Sequence, residues 1–240
     1  MNQIQTRFKQ LRLHGMNIRW QALVETRKHH EITLAEGLEL LLQSEEEHRD
    51  NNRFERLLKQ AKFRYKASIE ELNYDGIRGL HKDQITMLIS GEYINKGEAI
   101  LVTGATGCGK SFVVSALGHH ACNQGYKVLY FNMQKLLHQL KMARIDGTVI
   151  KVLDKLSKTN LLILDDFGLV HLDKQQQLDL MEIIEDRHAR YATIIASQLP
   201  VANWYSTLDE KTIADAILDR LVHTSHRIEL KGVESLRKKL

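Results

Sequence analysis

One glycine-rich segment, Gly104–Ser111 (GATGCGKS), restricts the fold of this chain more than any other feature. It matches the pattern G-x-x-x-x-G-K-[ST] without deviation, follows an apolar run at Ala99–Val102 and precedes a helical stretch at Phe112–Cys122. Glycines let such a loop curl until several backbone N–H groups point inward, and the helix that follows adds its positive N-terminal end. This arrangement predicts a phosphate-binding loop between a buried strand and a helix.

The loop indicates that the ligand is ATP together with a magnesium ion. Lys110 is expected to reach the β- and γ-phosphates, and the Ser111 hydroxyl is expected to bind Mg²⁺. The alternative is a glycine turn that only caps a helix, and the strand before the loop makes that alternative the weaker one. The predicted nucleotide-binding residues are Gly104, Ala105, Thr106, Gly107, Cys108, Gly109, Lys110 and Ser111.

A second apolar run, Leu161–Leu164, ends in two acids, Asp165 and Asp166. A strand that ends in acids places carboxylates at the carboxyl edge of a sheet, where open α/β folds bind their ligands. We expect Asp165 to hold Mg²⁺ together with Ser111 and water, and Asp166 to orient or deprotonate the attacking water. Two acids after an apolar run are also common at a solvated strand end, but the phosphate loop upstream favours the catalytic interpretation.

The spacing of the apolar runs predicts an α/β protein with a parallel sheet of about five strands, because such runs without polar alternation suit strands covered by helices on both faces. The stretch before this pattern is helical, which predicts a small N-terminal helical domain at 1–66 and an ATPase domain at 67–240. The predicted strands are Ala99–Val102, Val128–Phe131, Leu161–Leu164, Thr193–Ala196 and Arg227–Leu230, and the helices between them include Phe112–Cys122, Gln134–Met142 and Gln175–His188.

The N-terminal stretch contains two amphipathic patterns. The first is an apolar stripe of Leu34, Leu38, Leu41 and Leu42, preceded by a capping-box arrangement of Thr33 and Glu36. The second is a separate basic helix over Asn51–Lys66, in which Glu55 is the single acid. The basic residues of this helix are Arg53, Arg56, Lys59, Lys62, Arg64 and Lys66.

The composition agrees with a protein of the cytoplasm. The chain has 240 residues, of which 43% are hydrophobic and 27% charged, with a net charge of +4. No stretch approaches the roughly 18 apolar residues of a membrane span, and the N-terminus has no apolar run of a secretory signal. Cys108 and Cys122 are the two cysteines, so a disulfide framework is not expected.

Four segments resemble one family closely: GATGCGKS, LLILDDFG, TIIASQLP and ADAILDRLVHTSHRIEL. The chain is similar to the IstB-like helper ATPases of insertion-sequence transposition, which are AAA+ proteins related to DnaC-like helicase loaders. The opening FKQLRLHGM and the stretch Tyr74–Leu80 resemble the same family, so the likeness covers nearly the whole chain.

The resemblance implies two further catalytic residues. The sensor-1 position matches Gln198, with Ser197 as the competing candidate, and its amide would contact the γ-phosphate and the attacking water. The arginine finger matches Arg220, which would enter the ATP site of a neighbouring subunit in a homo-oligomer. The alternative for Arg220 is a surface arginine paired with Asp219 or Asp215.

The end of the chain departs from a standard AAA+ module. After the predicted strand Arg227–Leu230 only residues 231–240 remain, fewer than three helical turns. We therefore expect the lid to be largely absent, without a sensor-2 arginine, as in the IstB-like proteins.

The resemblance also implies binding to duplex DNA and contact with a transposase. The basic residues of Asn51–Lys66 would neutralise backbone phosphates without reading bases, so binding should be largely independent of sequence. The alternative for this segment is a solvated helix face. For the whole chain, the alternatives are a DnaC-like helicase loader, a small-molecule kinase and a nucleotide-gated binding protein with negligible hydrolysis.

Overall fold

The computed structural model of the chain describes residues 3–74 and 78–232. The chain divides into two compact units, Met1–Arg56 and Leu57–Leu240, and the described residues of each are treated by themselves. The domain boundary expected at residue 66 stays a prediction. Within the described part of the chain, no helix is both long and apolar enough to cross a membrane.

The second unit is built on a parallel sheet of five strands in the order β2-β3-β4-β1-β5. Each predicted apolar run lies within one of these strands, so the predicted fold class is confirmed. The strands are β1 (Ala99–Gly104), β2 (Val128–Asn132), β3 (Leu161–Phe167), β4 (Ala192–Ser197) and β5 (Ser225–Leu230).

Helices cover both faces of this sheet. On β3, Ile163 contacts the phosphate-loop helix at Gly118, whereas its neighbours Leu162 and Leu164 pack into the core cluster of the opposite face. The side chains buried on both sides of the sheet are mostly apolar, which explains the strand runs without polar alternation. The helices of this unit are α4 (Lys82–Ile89), α5 (Glu92–Lys96), α6 (Lys110–Asn123), α7 (Met133–Ile145), α8 (Val149–Ser157), α9 (Lys174–Arg187) and α10 (Lys211–Val222).

The register of the strands brings their polar ends to one edge of the sheet. Asn132 at the end of β2 is paired with Asp165 of β3, and Thr103 at the end of β1 is paired with Ser197 of β4. Because all strands are parallel, the segments that follow them also meet at this carboxyl edge. The phosphate loop and the acid pair therefore belong to one site.

A buried arginine, Arg187, connects several elements at the opposite edge of the sheet, the amino edge, where the strands begin. Arg187 is 1% exposed, and its Nε donates to the Thr193 hydroxyl at 3.0 Å. Its Nη1 donates to the carbonyls of Leu156 and Thr159, at 2.5 and 2.8 Å, and its Nη2 donates to the carbonyl of Ala192. Burial lowers the pKa of this guanidinium. The contacts join the ends of α8 and α9 to the start of β4.

The first unit consists of helices packed around a buried carboxylate. Glu45 is 6% exposed and accepts hydrogen bonds from the backbone N–H groups of Gly15 and Met16 at 2.7 and 3.2 Å. A Cβ atom at Gly15 would lie 2.2 Å from the carbonyl oxygen of Ser44, so only glycine fits there. The helices are α1 (Gln3–Gln10), α2 (His14–Glu25) and α3 (Leu34–Ala61), and the last of them continues into the second unit.

The two helices predicted in the N-terminal stretch are one continuous helix, α3, so the prediction of a separate helix over Asn51–Lys66 was wrong. No glycine or proline interrupts Leu38–Ala61, and the capping box at its start is confirmed, with the Thr33 N–H donating to the Glu36 carboxylate at 2.8 Å. The helix ends at Ala61 because Lys62 adopts a left-handed conformation with φ +57°. Arg64 and Lys66 therefore lie outside it.

The predicted leucine stripe of α3 is largely exposed. Leu34, Leu38 and Leu42 expose 90%, 53% and 47% of their surface, while the helix packs on α2 through the face that contains Ser44 and Glu45. The periodicity therefore predicted the helix but not its buried face.

Two predicted segments extend beyond the described residues. Within the Tyr74–Leu80 stretch, residues 75–77 lie outside them. The prediction of a largely absent lid concerns residues 231–240, of which 233–240 also lie outside.

Candidate nucleotide-binding site

The phosphate loop follows β1 directly and depends on glycine backbones. Gly104, Gly107 and Gly109 have φ values of +148°, +84° and +100°, a region that side chains disfavour. At Gly104 space is also limiting, because an added Cβ atom would lie 2.2 Å from the carbonyl oxygen of Leu230 in β5. The loop therefore curls beneath the start of α6 in the way that the sequence pattern requires.

Lys110 is folded into this loop. Its side chain is buried, and its Nζ donates to the carbonyl oxygens of Gly104 and Ala105, at 2.7 and 2.9 Å. The ammonium group thus lies inside the curl, where its charge faces the space enclosed by the loop backbone.

Asp165 lies at the end of β3 and is fully buried. Its Oδ1 accepts a hydrogen bond from the Asp166 N–H at 2.9 Å, and its Oδ2 accepts one from the Tyr130 hydroxyl. Burial raises the pKa of Tyr130, and the neighbouring carboxylate raises it further, so the phenol remains a donor. Asp165 lies two residues after Ile163 and therefore faces the same side of the sheet as α6.

Asp166 lies where the pairing of β3 with β4 shifts register, and its backbone is left-handed with φ +60°. Its Oδ2 accepts hydrogen bonds from Asn132 Nδ2 at 2.8 Å and from Arg64 Nη1 at 3.2 Å. The same Arg64 nitrogen lies 3.8 Å from Asp165 Oδ2. The side chain of Asp166 is 19% exposed, so Asp166 is the acid of the pair that reaches solvent.

Gln198 and Ser197, the two candidates for the sensor-1 role, differ clearly in their contacts. Gln198 Oε1 accepts a hydrogen bond from the Thr106 hydroxyl of the phosphate loop at 2.6 Å. Ser197 is fully buried, donates to the carbonyl of Phe167 at 2.8 Å and accepts from the Leu199 N–H at 3.1 Å. Gln198 is thus the residue that faces the loop, whereas Ser197 holds the strand end.

Arg220 lies at the opposite edge of the sheet from its own phosphate loop. It is on α10, shortly before β5 begins, and it lines a small cleft with Gly97 and Thr193 at the starts of β1 and β4. Its Nη2 forms an ion pair with Glu185, and its Nη1 donates to the carbonyl of Ala216 at 2.9 Å. The side chain is 25% exposed. Arg220 cannot reach the nucleotide site of its own chain.

Comparison with known proteins agrees with this geometry. Residues 6–240 match the family described as IstB-like ATP binding protein. The chain belongs to this family. A protein of Sinorhizobium fredii is 42% identical over 94% of this chain and 92% of its own length, and one of Pseudomonas fluorescens is 43% identical over 80% and 83%. Both are named as insertion-sequence ATP-binding proteins.

Solved structures show the same fold at low sequence identity. DnaI superposes with a TM-score of 0.58 at 20% identity and covers 69% of this chain and 91% of its own. The DnaC helicase loader superposes with a TM-score of 0.54 at 17% identity over 73% and 99%. The IstB-like chain therefore shares its fold with DnaI and the DnaC helicase loader, in agreement with the fold that the resemblance implied.

The residues of the IstB-like site fit ATP and Mg²⁺. Glycines with positive φ give the loop its curl, and Lys110 supplies a positive charge inside it. Ser111, Asp165 and Asp166 supply oxygen atoms, the ligands that Mg²⁺ prefers. Both Asp165 oxygens already accept a hydrogen bond, but each retains a second lone pair.

The residues expected to contact DNA do not form one group. Arg53, Arg56 and Lys59 are exposed on α3, and Lys62 and Lys66 are exposed beyond its end. Arg64 instead contacts the acid pair. DNA binding by these residues stays a prediction.

Tyr130 and Asn132 were not predicted as site residues from the sequence, and Arg64 was predicted to contact DNA rather than the acid pair. Tyr130 and Asn132 belong to β2, which is separated from β3 by two helices in the chain but is paired with it in the sheet. A polar residue at the end of the second strand, in VLYFN, was an available signal, because parallel strands end at the same edge.

Proposed function

We propose that this IstB-like chain is an ATPase that assembles as a homo-oligomer on duplex DNA and serves a transposase. One observation carries the hydrolytic part of the proposal: Lys110, the acid pair and Gln198 meet at one edge of the sheet. The names of the relatives, which place them in insertion sequences, support the role in transposition.

Each residue has a distinct role in hydrolysis. Bound Mg²⁺·ATP supplies the phosphoryl group and the metal charge that neutralises it. Lys110 and the loop N–H groups bind the phosphates, and Ser111 with Asp165 holds the metal. Asp166, which is the more exposed acid, orients the attacking water and accepts its proton. The Gln198 amide, held at the loop by Thr106, positions the same water.

Arg220 completes the site of a neighbouring subunit. It lies at the amino edge of its own sheet and is partly exposed, so it is available to a second copy but not to its own nucleotide. A cation supplied in this way raises hydrolysis by about 10³–10⁵. Glu185 holds the guanidinium in place.

Complementation between two inactive variants tests this arrangement. We expect Arg220→Ala to bind ATP but to lose hydrolysis by about a thousandfold. A mixture of Arg220→Ala with Lys110→Ala should regain part of the activity, because some interfaces then combine an intact loop with an intact arginine. Normal hydrolysis by Arg220→Ala alone would contradict the role in trans.

The basic residues on α3 are the proposed contact with DNA phosphates. Replacing Arg53, Arg56 and Lys59 with glutamine should weaken duplex binding and reduce the slope of log affinity against log salt by about 0.9 per lost contact. The matched control removes the same charge from α8 and from the residue that follows it, by replacing Lys151, Lys155 and Lys158 with glutamine. Equal slopes for the two triple variants would show that α3 does not bind the DNA backbone.

A helicase loader is the second candidate, favoured by the fold shared with DnaI and DnaC. The two functions differ in the DNA that they prefer, since a transposition helper should favour duplex DNA and a loader single strands. The experiment that tests the main proposal measures the ATPase rate and the particle size with duplex DNA, with single-stranded DNA and without DNA. If the particle size and the ATPase rate increase with single-stranded DNA but not with duplex DNA, the helicase loader would be favoured.

A further inference from the structure

The segment after α3 places Arg64 next to the acid pair of the nucleotide site. Lys62, with φ +57°, ends the helix, and the next residue, Phe63, inserts its ring against α6. A Cβ atom at Gly118 would lie 2.4 Å from the Phe63 ring, so glycine at that position makes room for it. The Phe63 ring also contacts His119, with centroids 4.5 Å apart, and forms an edge-to-face pair with Tyr130, with centroids 6.1 Å apart.

This anchor fixes the position of Arg64. Its Nη1 lies 3.2 Å from Asp166 Oδ2 and 3.8 Å from Asp165 Oδ2, so one guanidinium forms ion pairs with both acids. Asp165 is fully buried, and the other groups that contact the acid oxygens within residues 3–74 and 78–232 are neutral: the Tyr130 hydroxyl, the Asn132 amide and a backbone N–H. Among these described residues, Arg64 is therefore the cation that balances the acid pair.

We propose that Arg64 and Mg²⁺ are alternative counter-ions of the same two carboxylates, so that Arg64 must leave Asp166 when Mg²⁺·ATP binds. The proposal rests on the proposed ATP site and concerns its regulation. Two cations within about 4 Å of one pair of acids repel each other, and each weakens the binding of the other. Arg64 is thus a positioning residue of the ATP site rather than a contact for DNA.

The solvent exposure of Arg64 and Asp166 limits how strongly Arg64 changes the affinity for Mg²⁺. The side chains of Arg64 and Asp166 are 40% and 19% exposed, so solvent screens their attraction. Loss of the arginine charge should therefore change the affinity for Mg²⁺ by about threefold to fivefold, and the change should shrink at high salt.

The test measures the Mg²⁺ requirement for binding a fluorescent, non-hydrolysable ATP analogue to the full chain. We expect Arg64→Gln to lower the Mg²⁺ concentration at half-maximal binding by about threefold to fivefold. Arg64→Lys retains the charge and should stay close to wild type. Arg190→Gln, an equal charge change in the exposed turn before β4, should also leave the midpoint unchanged.

Each other outcome has a definite meaning. An unchanged midpoint in Arg64→Gln contradicts the competition. A higher midpoint, or weaker binding of the analogue without Mg²⁺, would show that Arg64 contacts the phosphates, and it also overturns the proposal. A wild-type chain that binds no analogue at any Mg²⁺ concentration contradicts the ATP site itself, and with it this inference.

Discussion

The two halves of the nucleotide site are assembled differently. In the phosphate loop, Lys110 donates to Gly104 and Ala105, residues only five or six positions away, and the curl depends on glycines in the same segment. Around the acid pair, the contacts come from residues 34 to 102 positions distant in the sequence. The first half is a local structure that a short motif encodes, whereas the second exists only when the sheet and the linker after α3 are in place.

A change in the local half should have the largest effect on nucleotide binding. Lys110→Ala removes the one charge enclosed by the loop and leaves two carbonyl oxygens without their donor. We expect nucleotide affinity to fall by at least about a hundredfold, because truncating a buried charged partner costs several kcal/mol. Titration with a fluorescent nucleotide measures it. Unchanged affinity would show that the loop does not bind phosphate. The phosphate loop would then not be one half of the nucleotide site.

This difference explains how much the sequence could predict. GATGCGKS and LLILDDFG each contain a strand end and its functional residues in one contiguous segment, so both were found by pattern. The contacts of Arg64 depend on the left-handed backbone of Lys62 and on the room that Gly118 leaves for Phe63. Neither feature can be predicted from the spacing of apolar residues. The single helix α3 was predicted as two because its apolar stripe and its basic segment were treated as separate patterns, although no glycine or proline lies between Leu38 and Ala61.

A change at the acid pair should separate binding from hydrolysis. Asp166→Asn retains the shape of the side chain and its position beside Asn132 and Arg64, but it removes the base. We expect the hydrolysis rate to fall by about 10²–10⁴ while nucleotide affinity stays within a few-fold of wild type. Steady-state ATPase assays and equilibrium binding on the same preparation measure the two quantities. Comparable turnover in the variant and the wild type would favour a nucleotide-gated binding protein without hydrolysis.

The smallest effect should come from the contact that supports the acid pair from β2. Tyr130→Phe removes the hydroxyl that donates to Asp165 Oδ2 and leaves the ring to pack on Phe63. A buried acceptor that loses its donor costs about 1–3 kcal/mol, so the free energy of unfolding should fall by that amount. Urea denaturation measures this free energy, with Tyr74→Phe as the control, since that hydroxyl donates to a partly buried carbonyl at 3.3 Å.

The same measurement with bound Mg²⁺·ATP shows whether the ligand stabilises the acid pair. If Mg²⁺·ATP restores the free energy of unfolding of Tyr130→Phe, the metal substitutes for the missing donor, and the acid pair is coupled to the ligand. If Tyr130→Phe is as stable as wild type with and without nucleotide, Asp165 does not depend on β2, and the contrast between the two halves is smaller than the geometry indicates.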